Sequence, residues 1–234
     1  MQPLASFDKS AQFLTNLSRS VSLTVVDETG EEMTVKTDTD HLIEIIIPRD
    51  PRFVLPPMTL FNVTSSTTNS THHQVFYYHY VNITSSLAIS IHVEIHPLDV
   101  NISYLLIYKF DGIPQVNSSM KNVDGWTMLC AGDYSMTNES VHEYFVDNEQ
   151  TVGHSSMVIG LREMDNDVHC SNASLRNELP VTDDGYSFRS DYEMRVYSSG
   201  CYYMHEESGE WKWDGLKVGA STNHYETQCL SNHL

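Results

Sequence analysis

Twelve histidines, 31 acidic side chains and four cysteines give this 234-residue chain the raw material for metal or acid–base chemistry, so spacing decides which of them can act together. His72-His73 and His92-x-x-x-His96 come nearest to ligand spacing. Along a strand, positions four apart share a face but sit ~13 Å from one another, too far to hold one ion. Surface or core histidines are the expectation, and no metal site is assigned. Asp165-Asn166-Asp167 and Asp183-Asp184-Gly185 offer oxygens for calcium, but neither has EF-hand spacing, and short acidic clusters with glycine ordinarily form turns. GxSxG, HExxH and phosphate-cradling glycine loops are absent. Cys130, Cys170, Cys201 and Cys229 contain no CxxC knuckle, and read as two disulfides rather than a metal site.

One string of residues remains. Cys201-Tyr202-Tyr203 is followed by Trp211-Lys212-Trp213-Asp214-Gly215, and then by Thr227-Gln228-Cys229-Leu230-Ser231-Asn232-His233-Leu234. In order and spacing this resembles the GPS motif, the receptor proteolysis site that closes the GAIN domain of adhesion receptors and of the polycystin-1 family. Leu216 and Ser231 stand where the family has a second pair of cysteines. Their joint replacement leaves Cys201 and Cys229 to bridge each other, and points to the polycystin-1 branch. Met204 replaces the usual Trp, a change of packing rather than chemistry. Trp211, Trp213, Tyr202 and Tyr203 are expected to pack around the Cys201 bridge. For Cys130 and Cys170 the expectation is a second disulfide.

The resemblance implies self-cleavage after Leu234. His233 would act as general base on the hydroxyl of the following residue, which attacks the Leu234 carbonyl; an N-to-O acyl shift gives an ester, and water opens it. The nucleophile is not in the sequence, and the end at Leu234 is expected to be the product terminus of that cut. Such an event happens once per molecule, without metal or cofactor, and is not enzymatic turnover. The resemblance further implies noncovalent association with the C-terminal fragment through its first strand. That fragment would continue into a multi-span membrane protein, a receptor or calcium-channel-associated subunit with a polycystin-2-like ion channel as partner. The location would be the extracellular face of the plasma or ciliary membrane. Two other readings stay open: a non-cleaving GAIN-like adhesion module, and an unrelated secreted β-sandwich such as a lectin-like binding domain.

Bulk properties narrow the class. A formal charge of -18 disfavours nucleic acid and anionic membranes, both of which need a positive patch. Sequons occur at Asn16, Asn62, Asn69, Asn82, Asn101, Asn117, Asn138 and Asn172. Fourteen Asn and 45 Ser plus Thr would supply about three by chance, and the excess points to the secretory pathway and a glycoprotein. No apolar run is long enough to span a bilayer. Residues 1–12 lack the apolar stretch of a signal peptide, so the expectation is either that expression was begun at this point or that upstream sequence is missing.

The elements that must position the tail are strands. β-Branched and aromatic runs occur at Val21-Val26, His41-Ile47, Gln74-Val81, Leu87-Ile95, Tyr104-Phe110, Ser156-Leu161, Tyr192-Tyr197 and Cys201-Met204. Leu87 to Ile95 alternates strictly, predicting one buried and one wetter face. Only residues 1–20, with Phe13, Leu14 and Leu17 at helical spacing, predict a helix. The fold expected is an all-β antiparallel sandwich of GAIN subdomain B type, spanning 21–234 after a helical lead-in at 1–20, with the GPS motif at 201–234. Asn62 to His73 is expected to be a solvated, glycosylated loop.

Overall fold

The computed structural model describes residues 20–38, 40–64, 75–83, 87–134, 140–164, 168–172, 175–205 and 207–234. Nearly all of the expected lead-in helix, much of the 62–73 loop, Asp165-Asn166-Asp167, His72-His73 and the sequons at Asn16, Asn69 and Asn138 lie outside these residues. Among the described residues no helix is long and apolar enough to cross a membrane.

The fold is all-β. Two four-stranded antiparallel sheets face each other. One is ordered β3 (Tyr77–Asn82), β10 (Ser156–Glu163), β5 (Tyr104–Phe110), β8 (Gly125–Leu129); the other β2 (Thr59–Phe61), β11 (Tyr192–Ser199), β4 (Ser90–Pro97), β9 (His142–Val146). Their inward side chains form one core that includes Ile91, Val93 and Ile95 of β4, Tyr104, Leu106 and Tyr108 of β5, Ile159 of β10, and Tyr192 and Met194 of β11. A third sheet of three strands, β1 (Ile43–Pro48), β15 (Glu226–Ser231) and β14 (Leu216–Val218), carries the C-terminal segment. Two small hairpins, β6 (Gln115–Asn117) with β7 (Met120–Asn122) and β12 (Tyr203–His205) with β13 (Glu210–Lys212), complete the strands. The helices described are single turns, α1 (Asn148–Thr151) and α2 (Val168–Ser171), plus a 3-10 turn at Leu175–Asn177. Asp147 starts α1 by accepting from the N–H groups of Glu149 and Gln150.

Two sequence expectations meet a different outcome. Val21–Val26 contains no strand, only a bridge from Val26 to Glu32 across a turn in which Gly30 has φ +88°. Val21, Leu23 and Val26 stay exposed, with no strand among the described residues covering them. The wetter face expected of the Leu87–Ile95 run is in fact buried. Ser90, His92 and Glu94 are each under a tenth exposed, because the third sheet and the segments flanking it cover that face. Alternation in a sequence separates the polar from the apolar face of a strand, but says nothing of what lies over the polar one.

The covered face is a polar seam. Glu94 accepts from Nε of Arg195, its register partner on β11, at 2.8 Å, and His224, in the turn before β15, pairs with its other oxygen. Arg49, just after β1, donates from Nη2 to Ser199 Oγ at 2.6 Å and stacks over Tyr197. His92 stacks on Tyr197 with ring centroids 4.5 Å apart. Burial holds the His92 imidazole down at about 3, helped by Arg49 and His224. Burial alone puts His79, hydrogen-bonded to the Tyr192 hydroxyl at 2.6 Å, at about 3 as well. His142 is lowered to about 4, again chiefly by burial.

These three rings are neutral in the folded protein but charge near pH 6.5 once exposed by unfolding. Below that pH the unfolded chain binds more protons, so their contribution is complete above about 6.5 and is lost as pH falls toward 4. The expected slope is up to about 1.4 kcal/mol per pH unit for each ring. Thermal melting between pH 7 and 4 should show a steadily falling Tm; a flat profile would mean that the rings are not buried neutral.

Candidate functional site

β15 is the middle strand of the third sheet. On one edge it runs antiparallel to β1, with Cys229 opposite Ile45; on the other it pairs with β14, with Cys229 opposite Val218. Alternate residues of β15, Thr227, Cys229 and Ser231, are buried. Cys229 bonds to Cys201, just ahead of β12, and the disulfide sits among Leu216, Val218, Ile45, Ile47, Tyr203 and Phe145 of β9. That cluster fastens the third sheet to the outer face of the sandwich. Asn148 of α1 adds a second tie: it is fully buried, donates to Leu216 O at 3.0 Å and accepts from Val218 N–H at 2.8 Å.

Past Ser231 the chain bends at Asn232 but stays paired on both sides. Asn232 N–H still donates to Gly215 O at 3.0 Å on the β14 side. On the β1 side a new stretch, 35–37, takes over: Thr37 N–H donates to Asn232 O at 2.8 Å, Lys36 bridges His233, and Val35 and Leu234 exchange both of their hydrogen bonds. Leu234 N–H donates to Val35 O at 2.9 Å, and Val35 N–H to Leu234 O at 3.1 Å. The C-terminal strand is therefore zipped, through its last residue, to a segment from near the opposite end of the sequence.

His233 is half-buried and held on several sides. Its Nδ1 lies 2.8 Å from Asn232 Oδ1, a contact that orients the ring and does not involve Nε2. Its ring meets Tyr203 edge-on at 4.8 Å, and the Tyr203 hydroxyl is anchored to both oxygens of Asp214 at 3.1 Å. Gly215 makes room for the pair. It has φ +78°, and a Cβ there would stand 2.3 Å from Asn232 Oδ1 and 2.7 Å from His233 Nδ1.

Of the residues singled out in the sequence, Cys201, Gly215, Cys229, His233 and Leu234 come together, and Thr227 lies on the same strand. Trp211 and Trp213 are half-buried and lie outside the disulfide cluster, which takes Tyr203 and Phe145 as its aromatic members. Tyr202 instead donates to Ala88 O at 2.9 Å. Cys130 and Cys170 form the other disulfide, tying the end of β8 to α2. The paired histidine positions go separate ways: His92 enters the seam, and His96 meets Glu193 at 3.1 Å. Asp183 accepts from Ser118, which lowers its pKa, and Asp184 O accepts from Arg162. Among the described residues no three His, Cys, Asp or Glu side chains group to hold a metal. Asn62, Asn82, Asn101 and Asn172 are exposed; Asn117 is half-buried and caps the β6–β7 turn through its carbonyl. Sequence reasoning missed Asn232, Asn148 and the 35–37 stretch. Asn232 stood beside the histidine in plain view, but a single Asn on a one-turn helix or a three-residue pairing carries no periodic signal.

No family model matches this chain, and neither a curated protein nor a solved structure matches it.

Gly215 combines a left-handed φ with close contacts to a would-be Cβ, a pairing that none of the other described positive-φ glycines shows. Gly215→Ala adds both left-handed strain and a contact that forces the Asn232–His233 pair away, and should cost about 1–3 kcal/mol. Urea unfolding would read this as a lowered midpoint at constant slope; an unchanged midpoint would show that the glycine is not required.

Proposed function

We propose that this chain is an extracellular autoproteolytic domain, resembling the GAIN domain of the polycystin-1 family, that is cut after Leu234. The observation that carries the reading is the pinning of Leu234 and His233: a backbone exchanged with Val35 on one side, and an imidazole fixed by Asn232, Tyr203 and the bare Cα of Gly215. Two disulfides and exposed sequons fit an extracellular or secreted domain.

Peptide cleavage without a metal needs a nucleophile held against its carbonyl, and a rigid strand supplies that proximity. The hydroxyl of the residue after Leu234, a Ser or Thr, adds to the Leu234 carbonyl carbon while its proton passes to Nε2 of His233. Collapse of the tetrahedral centre breaks the C–N bond, and the imidazolium returns the proton to the departing amine. The resulting ester is opened by water, leaving a carboxylate on Leu234 and a free hydroxyl and amine on the next residue. The second fragment stays with the first through its leading strand, so this domain is part of a membrane receptor or channel-associated assembly.

Expressed with a Thr after Leu234 and its native continuation, the chain should split at that bond, and His233→Ala should leave it whole by intact mass. Equal splitting in the His233→Ala variant would overturn the assignment.

A further inference from the structure

A base alone leaves the developing negative charge on the Leu234 carbonyl oxygen unattended, and in most acyl-transfer sites a fixed N–H donor is the larger contribution. On the β14 side, ladder bonding stops at Asn232, whose N–H is the last to reach Gly215 O. On the other side the Val35 N–H points at Leu234 O, 3.1 Å away, and is held there by the reciprocal bond from Leu234 N–H and by the Thr37-to-Asn232 bond two residues on. We propose that the backbone N–H of Val35 is the oxyanion donor for cleavage after Leu234, so that the 35–37 stretch supplies a catalytic group as well as a pairing partner. This rests on the cleavage reading above.

The step is balanced without any further component. The hydroxyl oxygen bonds to the Leu234 carbon, the carbonyl π pair moves onto its oxygen, and the ladder hydrogen bond from Val35 becomes charge-assisted and shortens. When the C–N bond breaks, the carbonyl re-forms and the bond relaxes to its ladder value. Because the donor is a main-chain group in a preformed ladder, it needs no reorganisation as charge develops. A consequence is that cleavage requires the segment before β1 to be docked: the chain is not competent until residues near its two ends have met.

The test replaces N–H groups one at a time in the chain extended past Leu234. Val35→Pro removes the proposed donor, and Thr37→Pro removes the neighbouring bond to Asn232 O, which does not touch the reacting carbonyl. Both variants lose one ladder bond. Cleavage followed by intact mass should slow about 10²–10³-fold in Val35→Pro and far less in Thr37→Pro. Equal slowing in the two variants would reduce the contact to ordinary strand pairing and overturn the proposal. Wild-type speed in Val35→Pro would do the same. If the unsubstituted extended chain never splits, the cleavage reading itself fails, and the donor role falls with it.

Discussion

β15 has neighbours on both edges and a packed face below it, and the rest of the site follows from that position. A strand at a sheet edge frays, whereas a middle strand can move only by breaking two ladders together. Cys229 sits at its centre and is bonded to Cys201, which closes a 28-residue separation and restricts the unfolded chain as well as the folded one. The residues after β15 inherit this rigidity. His233 and Leu234 follow the strand past a bend at Asn232 and pair with the separate 35–37 stretch.

The layer beneath is unusual for a sandwich exterior, because it is polar and yet covered. Glu94, Arg195, His224, Arg49, His92 and Tyr197 meet in the seam between the second and third sheets. Buried ion pairs contribute little net stability against well-packed apolar side chains, since desolvation offsets most of the attraction. The contacts that cross between the sheets, from His224 to Glu94 and from Arg49 to Ser199, do penalise misplacement, because a shifted third sheet would strip them from buried polar groups. Directional contacts of this kind, with Asn148 gripping both a donor and an acceptor of β14, set where the third sheet sits. Apolar packing around the disulfide then supplies the nondirectional part of the attachment.

Much of the fold was legible in the sequence because strand periodicity is local. Tyr104–Phe110 is a strand as expected, and the Ser156 and Tyr192 runs begin where the strands begin. Short strands such as β2, β13 and β14 were not seen, since three residues cannot display an alternation. The third layer was not legible at all: Ser90, His92 and Glu94 carry the polarity of a solvated face, and only the long-range docking of β1, β14 and β15 buries them. At the site, the motif named Gly215 and both disulfide partners, which the fold brings beside His233 and Leu234. Asn232, Tyr203 as a wall for the imidazole, and Val35 opposite Leu234 depend on contacts between distant segments that no spacing rule encodes.

The account makes the described chain one half of a split pair that stays associated. It is tested most directly by capturing the secreted, extended protein through a tag at its N-terminus, washing under native conditions, and then separating the bound material in denaturant. The account predicts a second polypeptide in equal amount, released only by the denaturant, whose N-terminal sequence starts with a Ser or Thr directly after Leu234. A single unbroken polypeptide, with the bond after Leu234 intact in every molecule, would contradict it.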